Sequence, residues 1–317
     1  MNVVRIVFMG TPDFAVASLE ALLVHGYEVC AVVTAPDRPA GRGRKLSTSA
    51  VKDYALAKKL PVLQPVNLKD PAFHEQLRKL NANLFIIVAF RMLPEGVWQM
   101  PELGTFNLHA SLLPQYRGAA PINHTIMNGE TRGGVTTFFL RHEIDTGNII
   151  FRRETDIRPD ETAGEYHDRL MQLGAGLVVD TTEAIRQGRV LTSNQEKFLR
   201  PGEVLKPAPK INKEDCRIDW NRYASEVYNF IRGLSPYPGA FTEITLPGGR
   251  EIYLKIFRAQ VLDCHCVKQA GSIISDYRTY LNICCKDACL SILELQQPGK
   301  RRMPVKDFLL GLNFNGL

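Results

Sequence analysis

The sequence predicts an α/β protein: an open, mostly parallel sheet with helices in the first two thirds, then a small β-barrel or sandwich. Three observations predict it. Residues 3–9, 14–25 and 28–34 read as strand, helix and strand, a β-α-β start that requires parallel pairing and a right-handed crossover. Residues 84–89 are continuously apolar, as in a strand buried on both faces. From Thr192 the texture changes, and past residue 213 short alternating segments break at Pro247-Gly248-Gly249 and Ala270-Gly271. The expected boundaries are a first domain over 1–189, a linker over 190–209 and a second domain over 210–317.

The elements follow in order. The first turn, Gly10-Thr11-Pro12-Asp13, lacks the Gly-x-Gly-x-x-Gly spacing, so no nicotinamide cofactor is expected, and Asp13 is read as the cap of the helix that follows. Residues 35–47 carry too much Pro and Gly for a helix or a central strand. Helices are expected over 49–59 and from an Asp70 cap with Pro71 at the first helical position to about Leu80. A short strand is read over 61–63 and another over 105–110. A helix at 121–127 and strands at 134–141 and 149–153 come next, the two strands joined by a loop holding Glu143, Asp145 and Gly147. Thr162 and Glu165 have capping-box spacing and start a long helix to about Gln187. Pro201, Pro207 and Pro209 punctuate the linker, and a helix is expected over 223–231.

Composition bounds the function. No stretch approaches the ~20 apolar residues of a membrane span, and the N-terminal apolar run is short and without a cleavage site. A cytoplasmic protein is expected. Residues 1–196 hold 21 basic and 21 acidic side chains, whereas 197–317 hold 18 and 12, which accounts for the net charge of +6. Five basic groups against the single acid Asp37 also crowd residues 36–52. Such clustering favours a polyanionic partner, nucleic acid first. Cys264, Cys266, Cys284, Cys285 and Cys289 crowd the C-terminal part, but their spacings are not those of zinc knuckles, so reduced thiols in the core are expected and no metal.

The sharpest chemical signal is the run Phe106-Asn107-Leu108-His109 and the Pro/Gly break after it. Alternation along a strand places Asn107 and His109 on one face. A carboxamide donor beside an imidazole at the carboxyl end of a strand suits an oxygen that gains charge next to a proton carrier. Asp145, in Asp-Thr-Gly, can reach inward to orient His109. An acyl group passing to an amine needs these functions and no Ser or Cys nucleophile. The bland alternative is a pair of buried polar residues satisfied by backbone. Residues 111–114 could wall a flat heteroaromatic ligand, and Arg117 could pair with an anion or be solvated. Arg38, Arg42, Arg44 and Lys45 have the content of an arm that tracks phosphates.

The chain resembles the methionyl-tRNA formyltransferase family along nearly its whole length. The resemblance rests on residues 8–14, 36–43, 107–114, 116–122, 145–147 and the pattern Lys210-Ile211-x-Lys213-Glu214-x-x-x-Ile218-Asp219-Trp220. It implies a Rossmann-like catalytic domain and an OB-like C-terminal barrel that binds tRNA. It implies 10-formyltetrahydrofolate as co-substrate, initiator Met-tRNA as acceptor and a monomer. Asn107, His109 and Asp145 are then catalytic. Ser111, Leu112, Leu113, Pro114, Phe90 and Gly118 line the folate site, and Arg38, Arg42, Arg44, Lys45, Lys210 and Lys213 bind tRNA. The 107–118 run and the Asp145 loop are common to formyltransferases, so transfer to a small sugar or ribosyl amine, or formyltetrahydrofolate hydrolysis, is the alternative. The basic loop and the 210–220 pattern favour tRNA. The chain departs from the family pattern at Phe90-Arg91-Met92-Leu93-Pro94 and at His142.

Overall fold

A computed structural model describes residues 3–40, 45–143, 145–246, 249–263 and 268–312. The chain forms two compact units. The first gathers Met1–Gly118, Arg132–Asp156 and His167–Pro207; the second gathers Ala119–Thr131, Ile157–Tyr166 and Ala208–Leu317.

In chain order the elements are β1 (Arg5–Gly10), α1 (Asp13–Val24), β2 (Glu28–Val33), β3 (Arg38–Ala40), β4 (Lys45–Ser47), α2 (Ala50–Ala57), β5 (Val62–Leu63) and α3 (Pro71–Lys79). Then come β6 (Leu84–Val88), α4 (Glu95–Trp98), β7 (Thr105–His109), α5 (Pro121–Met127), β8 (Arg132–Phe139), β9 (Ile149–Asp156) and α6 (Ala163–Arg186). The C-terminal part supplies α7 (Ala224–Gly233), β10 (Ala240–Thr245), β11 (Glu251–Leu262), β12 (Ile273–Ser275), β13 (Leu281–Cys284), β14 (Cys289–Gln296), β15 (Met303–Pro304) and α8 (Val305–Leu310).

The first unit is built on a seven-stranded sheet in the order β5-β2-β1-β6-β7-β8-β9. Pairing is parallel from β5 to β7 and antiparallel from β7 to β9. Strand order reverses between β1 and β6, so the carboxyl ends of these strands and of β7 border the crevice where open sheets of this kind bind ligands. Ile6, Val7, Phe8 and Met9 of β1 and all of β6 are buried, as the unbroken apolar runs require. Gly10 ends β1 because a Cβ there would lie 2.6 Å from the Ala15 Cβ, so α1 packs close against the strand end. The helix starts match the cap signals. The Ser49 hydroxyl accepts from the Lys52 N–H at 3.0 Å, and the Asp70 carboxylate accepts from the Ala72 N–H at 2.9 Å. Asp13 is the exception. Pro12 occupies the cap position and Asp13 is the first helical residue, its carboxylate accepting from the Phe14 N–H at 2.9 Å.

The Pro/Gly-rich stretch after β2 is neither helix nor part of the main sheet. It folds back on itself as the ribbon β3–β4. Its root is fixed by Asp37, whose carboxylate accepts from the Lys52 ammonium at 2.5 Å and the Gln64 amide at 2.8 Å. Those two donors hold the Asp37 carboxyl below the usual carboxylate range.

The second unit is an antiparallel half-barrel, β10-β11-β14-β13-β12 with β15 on β14. Register shifts in β11 around Ile256, Arg258 and Ala259 give the strand the extra twist that curling needs. Ile256, Leu254, Ile283, Leu290, Ile292 and Leu295 fill its core with Val227 and Ile231 of α7 and Phe308 of α8. Cys216, Cys284, Cys285 and Cys289 are buried in this unit. Cys264 and Cys266 lie outside the described residues. Among the described residues no cluster of His, Cys, Asp and Glu is arranged to hold a metal ion, and no helix is long and apolar enough to cross a membrane.

Candidate active site

Strand β7 carries the site because its neighbours bury it on both sides. Asn107 pairs with Ile87 of β6 and with Phe138 of β8, while His109 pairs with Thr136. Phe106 and Leu108 point into the core, and Asn107 and His109 share the opposite face, as alternation requires. His109 is 7% exposed. Its Nε2 lies 2.9 Å from the Tyr116 carbonyl oxygen. A carbonyl only accepts, so Nε2 carries a proton and donates it there. Nδ1 is thereby the nitrogen left for chemistry, and it lies 3.9 Å from the Asp145 Oδ2. That is ion-pair range and too long for a hydrogen bond. The Asn107 carboxamide makes no hydrogen bond to another described residue and is half-buried.

Asp145 is held from several sides. Its Oδ2 accepts from the Gly118 N–H at 3.1 Å. Its backbone has φ of 55°, the left-handed region that Asp tolerates better than most residues. Gly147 makes the turn close: a Cβ there would sit 1.6 Å from the Phe139 carbonyl oxygen. Tyr116, whose carbonyl orients His109, also has a left-handed φ of 61°. Both partners of the imidazole therefore sit on backbone in a sparsely populated conformation, a pattern found at functional sites.

The remaining expected residues fall into three groups. In the turn after β7, Ser111, Leu113 and Pro114 are buried and Leu112 is half-buried. The turn is tied to β8 through Thr136, whose hydroxyl donates to the Ser111 carbonyl at 2.7 Å and accepts from the Leu113 N–H at 3.1 Å. Phe90 is half-buried, with the Arg91 guanidinium 5.6 Å from its ring centre. Arg91 donates to the Pro65 and Val66 carbonyls, and burial lowers its pKa. An open cavity of about 270 Å³ lies here, lined among others by Val66, Leu68, Lys69, Arg91, Met92 and Leu93. Arg38 is exposed on β3, and Lys210 and Lys213 are exposed in the second unit. Lys45 begins β4, and Arg42 and Arg44 lie outside the described residues.

Arg117 is half-buried, and the partner the structure gives it is a neutral amide. Its Nε and Nη2 donate to the Gln195 Oε1 at 3.1 and 2.6 Å. Gln195 was not among the expected residues, although it is 1% exposed. It stands in an aperiodic stretch, and its only local signal is the preceding Asn194, which caps a short 3₁₀ turn at Gln195–Phe198.

The formyl transferase family profile matches residues 3–182, and the profile of the formyl transferase C-terminal domain matches residues 210–313. A protein of Bacteroides fragilis named methionyl-tRNA formyltransferase is 52% identical over 98% of this chain and 95% of its own length. Among solved structures, a HypX variant from Aquifex aeolicus superposes with a TM-score of 0.66 at 19% identity, covering 100% of this chain and 50% of that one. WlaRD, a sugar 3N-formyl transferase solved in the presence of dTDP and 5-N-formyl-THF, gives a TM-score of 0.65 at 18% identity over 95% of this chain and 100% of that one. At these identities the two structures speak for the fold.

Proposed function

The chain belongs to the formyl transferase family, and from that premise we propose that it carries a formyl group from 10-formyltetrahydrofolate to the α-amine of methionyl initiator tRNA in the cytoplasm. The observation that carries the reading is the imidazole of His109, with Nε2 committed to Tyr116 and Nδ1 turned to Asp145, on the same strand face as the amide of Asn107, which bonds to no other described residue.

The folate supplies an electrophilic formyl carbon when bound. The chain's own residues do the rest. Asn107 donates its amide hydrogen to the formyl oxygen as that oxygen gains negative charge, and His109 in its charged form donates from Nδ1. Asp145 opposes the imidazolium charge and fixes the ring. The amine's electron pair forms the new C–N bond while the bond from the formyl carbon to the carrier nitrogen breaks, and the proton that the amine sheds passes by way of water beside Asp145 to that departing nitrogen, so tetrahydrofolate leaves neutral at that atom and Asp145 keeps its charge. Phe90, Ser111, Leu112, Leu113, Pro114 and Gly118 are proposed to wall the folate site, and the open cavity lined by Val66, Leu68, Lys69, Met92 and Leu93 is proposed to receive the carboxylate-bearing end of the ligand at Lys69. Residues 210–317, with Lys210 and Lys213 exposed, and the basic arm with Arg38, Arg42, Arg44 and Lys45 are proposed to bind the tRNA.

Transfer of labelled formyl from 10-formyltetrahydrofolate to Met-tRNA, with free methionine and a sugar amine as control acceptors, tests the reading. Label on the tRNA alone is expected; label on a control acceptor, or release of formate without transfer, overturns it. Arg42→Ala should raise the KM for tRNA, leave the KM for folate unchanged and reduce the salt slope of tRNA binding by about one.

A further inference from the structure

The structure assigns to Gln195 the part of a positioning residue for the reaction, a buried clamp that sets where the Asp145 carboxylate stands relative to His109. The assignment rests on the functional reading above, in which Asp145 opposes the charge of the imidazole.

A primary carboxamide has two N–H donors on one nitrogen and an acceptor oxygen. At Gln195 all of them are used. Nε2 donates to the Asp145 carbonyl at 2.7 Å and to the Gly147 carbonyl at 2.9 Å, gripping the tight loop on both sides of Thr146. Oε1 accepts from two nitrogens of Arg117, one residue before the Gly118 N–H that holds the Asp145 carboxylate. One side chain thus ties the loop that presents the carboxylate to the turn that receives it. No contact to a reacting atom is involved, so its influence passes through Asp145.

The surrounding backbone keeps the clamp in place. Ser193 exchanges both backbone hydrogen bonds with Ile149, at 2.8 and 2.9 Å, just past the Asp145 loop. Farther on, the Lys206 carbonyl accepts from the Tyr116 N–H at 2.7 Å, and Gln115 bonds to Glu203, Val204 and Lys206. The stretch from Ser193 to Lys206 therefore acts as a strap that fastens the Asp145 loop at one end and the peptide orienting His109 at the other.

The chemistry of the clamp excludes near substitutes. A carboxylate at this position would face two carbonyl oxygens with no hydrogen to give, and an apolar chain of equal length would leave both carbonyls and the guanidinium unpaired. A group misplaced by about 1 Å costs roughly 10²-fold in rate.

Steady-state kinetics of the full-length enzyme with 10-formyltetrahydrofolate and Met-tRNA test the assignment in a cycle of wild type, Gln195→Met, Asp145→Asn and the double variant. The expected outcome is a loss of roughly 10- to 100-fold in kcat for Gln195→Met with both KM values within about twofold, and no further loss when it is added to Asp145→Asn. Gln195→Glu, isosteric with the native side chain, should behave like Gln195→Met, and should decide the matter if Gln195→Met does not fold. Unchanged kcat, a loss confined to KM, or losses that multiply in the double variant would overturn the assignment. A wild-type enzyme that does not formylate Met-tRNA would instead sink the functional reading, so the two failures are distinguishable.

Discussion

Strand β7 and the strap at 193–206 serve the same site by opposite means. The strand holds Asn107 and His109 by regular pairing on both edges, and its register leaves them no alternative face. The strap has almost no regular structure, and it contributes one buried carboxamide and a few backbone bonds at chosen points. What the strand does through periodicity, the strap does through individual contacts. The first places the two groups proposed to act on the formyl oxygen; the second fixes the loop carrying Asp145, their proposed acidic partner.

The largest effect should come from the strand. Asn107→Ala removes a half-buried amide that makes no hydrogen bond to a described neighbour, so the fold has little to lose. Turnover should fall by about 10²–10³-fold, the usual loss for one donor to a developing oxyanion. Retention of wild-type kcat at saturating folate and tRNA would remove Asn107 from the mechanism.

This contrast also explains what could be read from the sequence. The β-α-β start, the buried run at 84–88, the capping signals at Ser49, Asp70 and Thr162, and the shared face of Asn107 and His109 all follow from local periods or local turn chemistry. Asp145 was legible because Asp-Thr-Gly after a strand describes a tight turn by its own composition. Gln195 was not. Fifty residues separate it from Asp145, and nothing near it repeats. The Arg117 contact is hidden for the same reason, since the amide it bonds to is distant and neutral and local charge gives no hint of it. The grouping of Ala119–Thr131 and Ile157–Tyr166 with the C-terminal residues is equally invisible in composition, because short segments have none of their own.

A second substitution attacks the loop where strand and strap meet. Gly147→Ala would bring a Cβ to 1.6 Å from the Phe139 carbonyl oxygen and 3.0 Å from the Phe138 ring. Neither can yield cheaply, one being backbone and the other 2% exposed in the core. The loop must move, and Asp145 with it. A loss of roughly 10²-fold in kcat is expected, with a lower Tm because the ladder bond from the Phe139 N–H to the Asn148 carbonyl is strained as well. A variant with lowered Tm and native kcat would show that Asp145 tolerates displacement, and would weaken the case for the clamp.

The smallest effect should come from a contact in the first unit that belongs to neither region. The Tyr27 hydroxyl donates to the Glu183 Oε2 at 2.8 Å, joining the start of β2 to the end of α6. Burial, and then the carboxylate, push the Tyr27 hydroxyl from its ordinary 10 to about 12. Hydrogen bonds from Arg186 and then from Tyr27 bring the Glu183 carboxyl from 4.5 to about 2. The signs follow from linkage. A raised tyrosine stabilises the fold fully below pH 10 and loses that contribution as pH climbs to about 12. A depressed carboxyl stabilises it above pH 4.5 and loses that contribution as pH falls to about 2. Tyr27→Phe should therefore lower Tm by roughly 2–4 °C, about one hydrogen bond's worth, between about pH 5 and 9. The gap to wild type should narrow at both extremes. Because the contact touches neither β7 nor the strap, kcat should stay at the wild-type value across that range. A fall in kcat without a change in Tm would mean that the position of α6 is felt at His109 and Asp145, and the division of labour between strand and strap would have to include a third member.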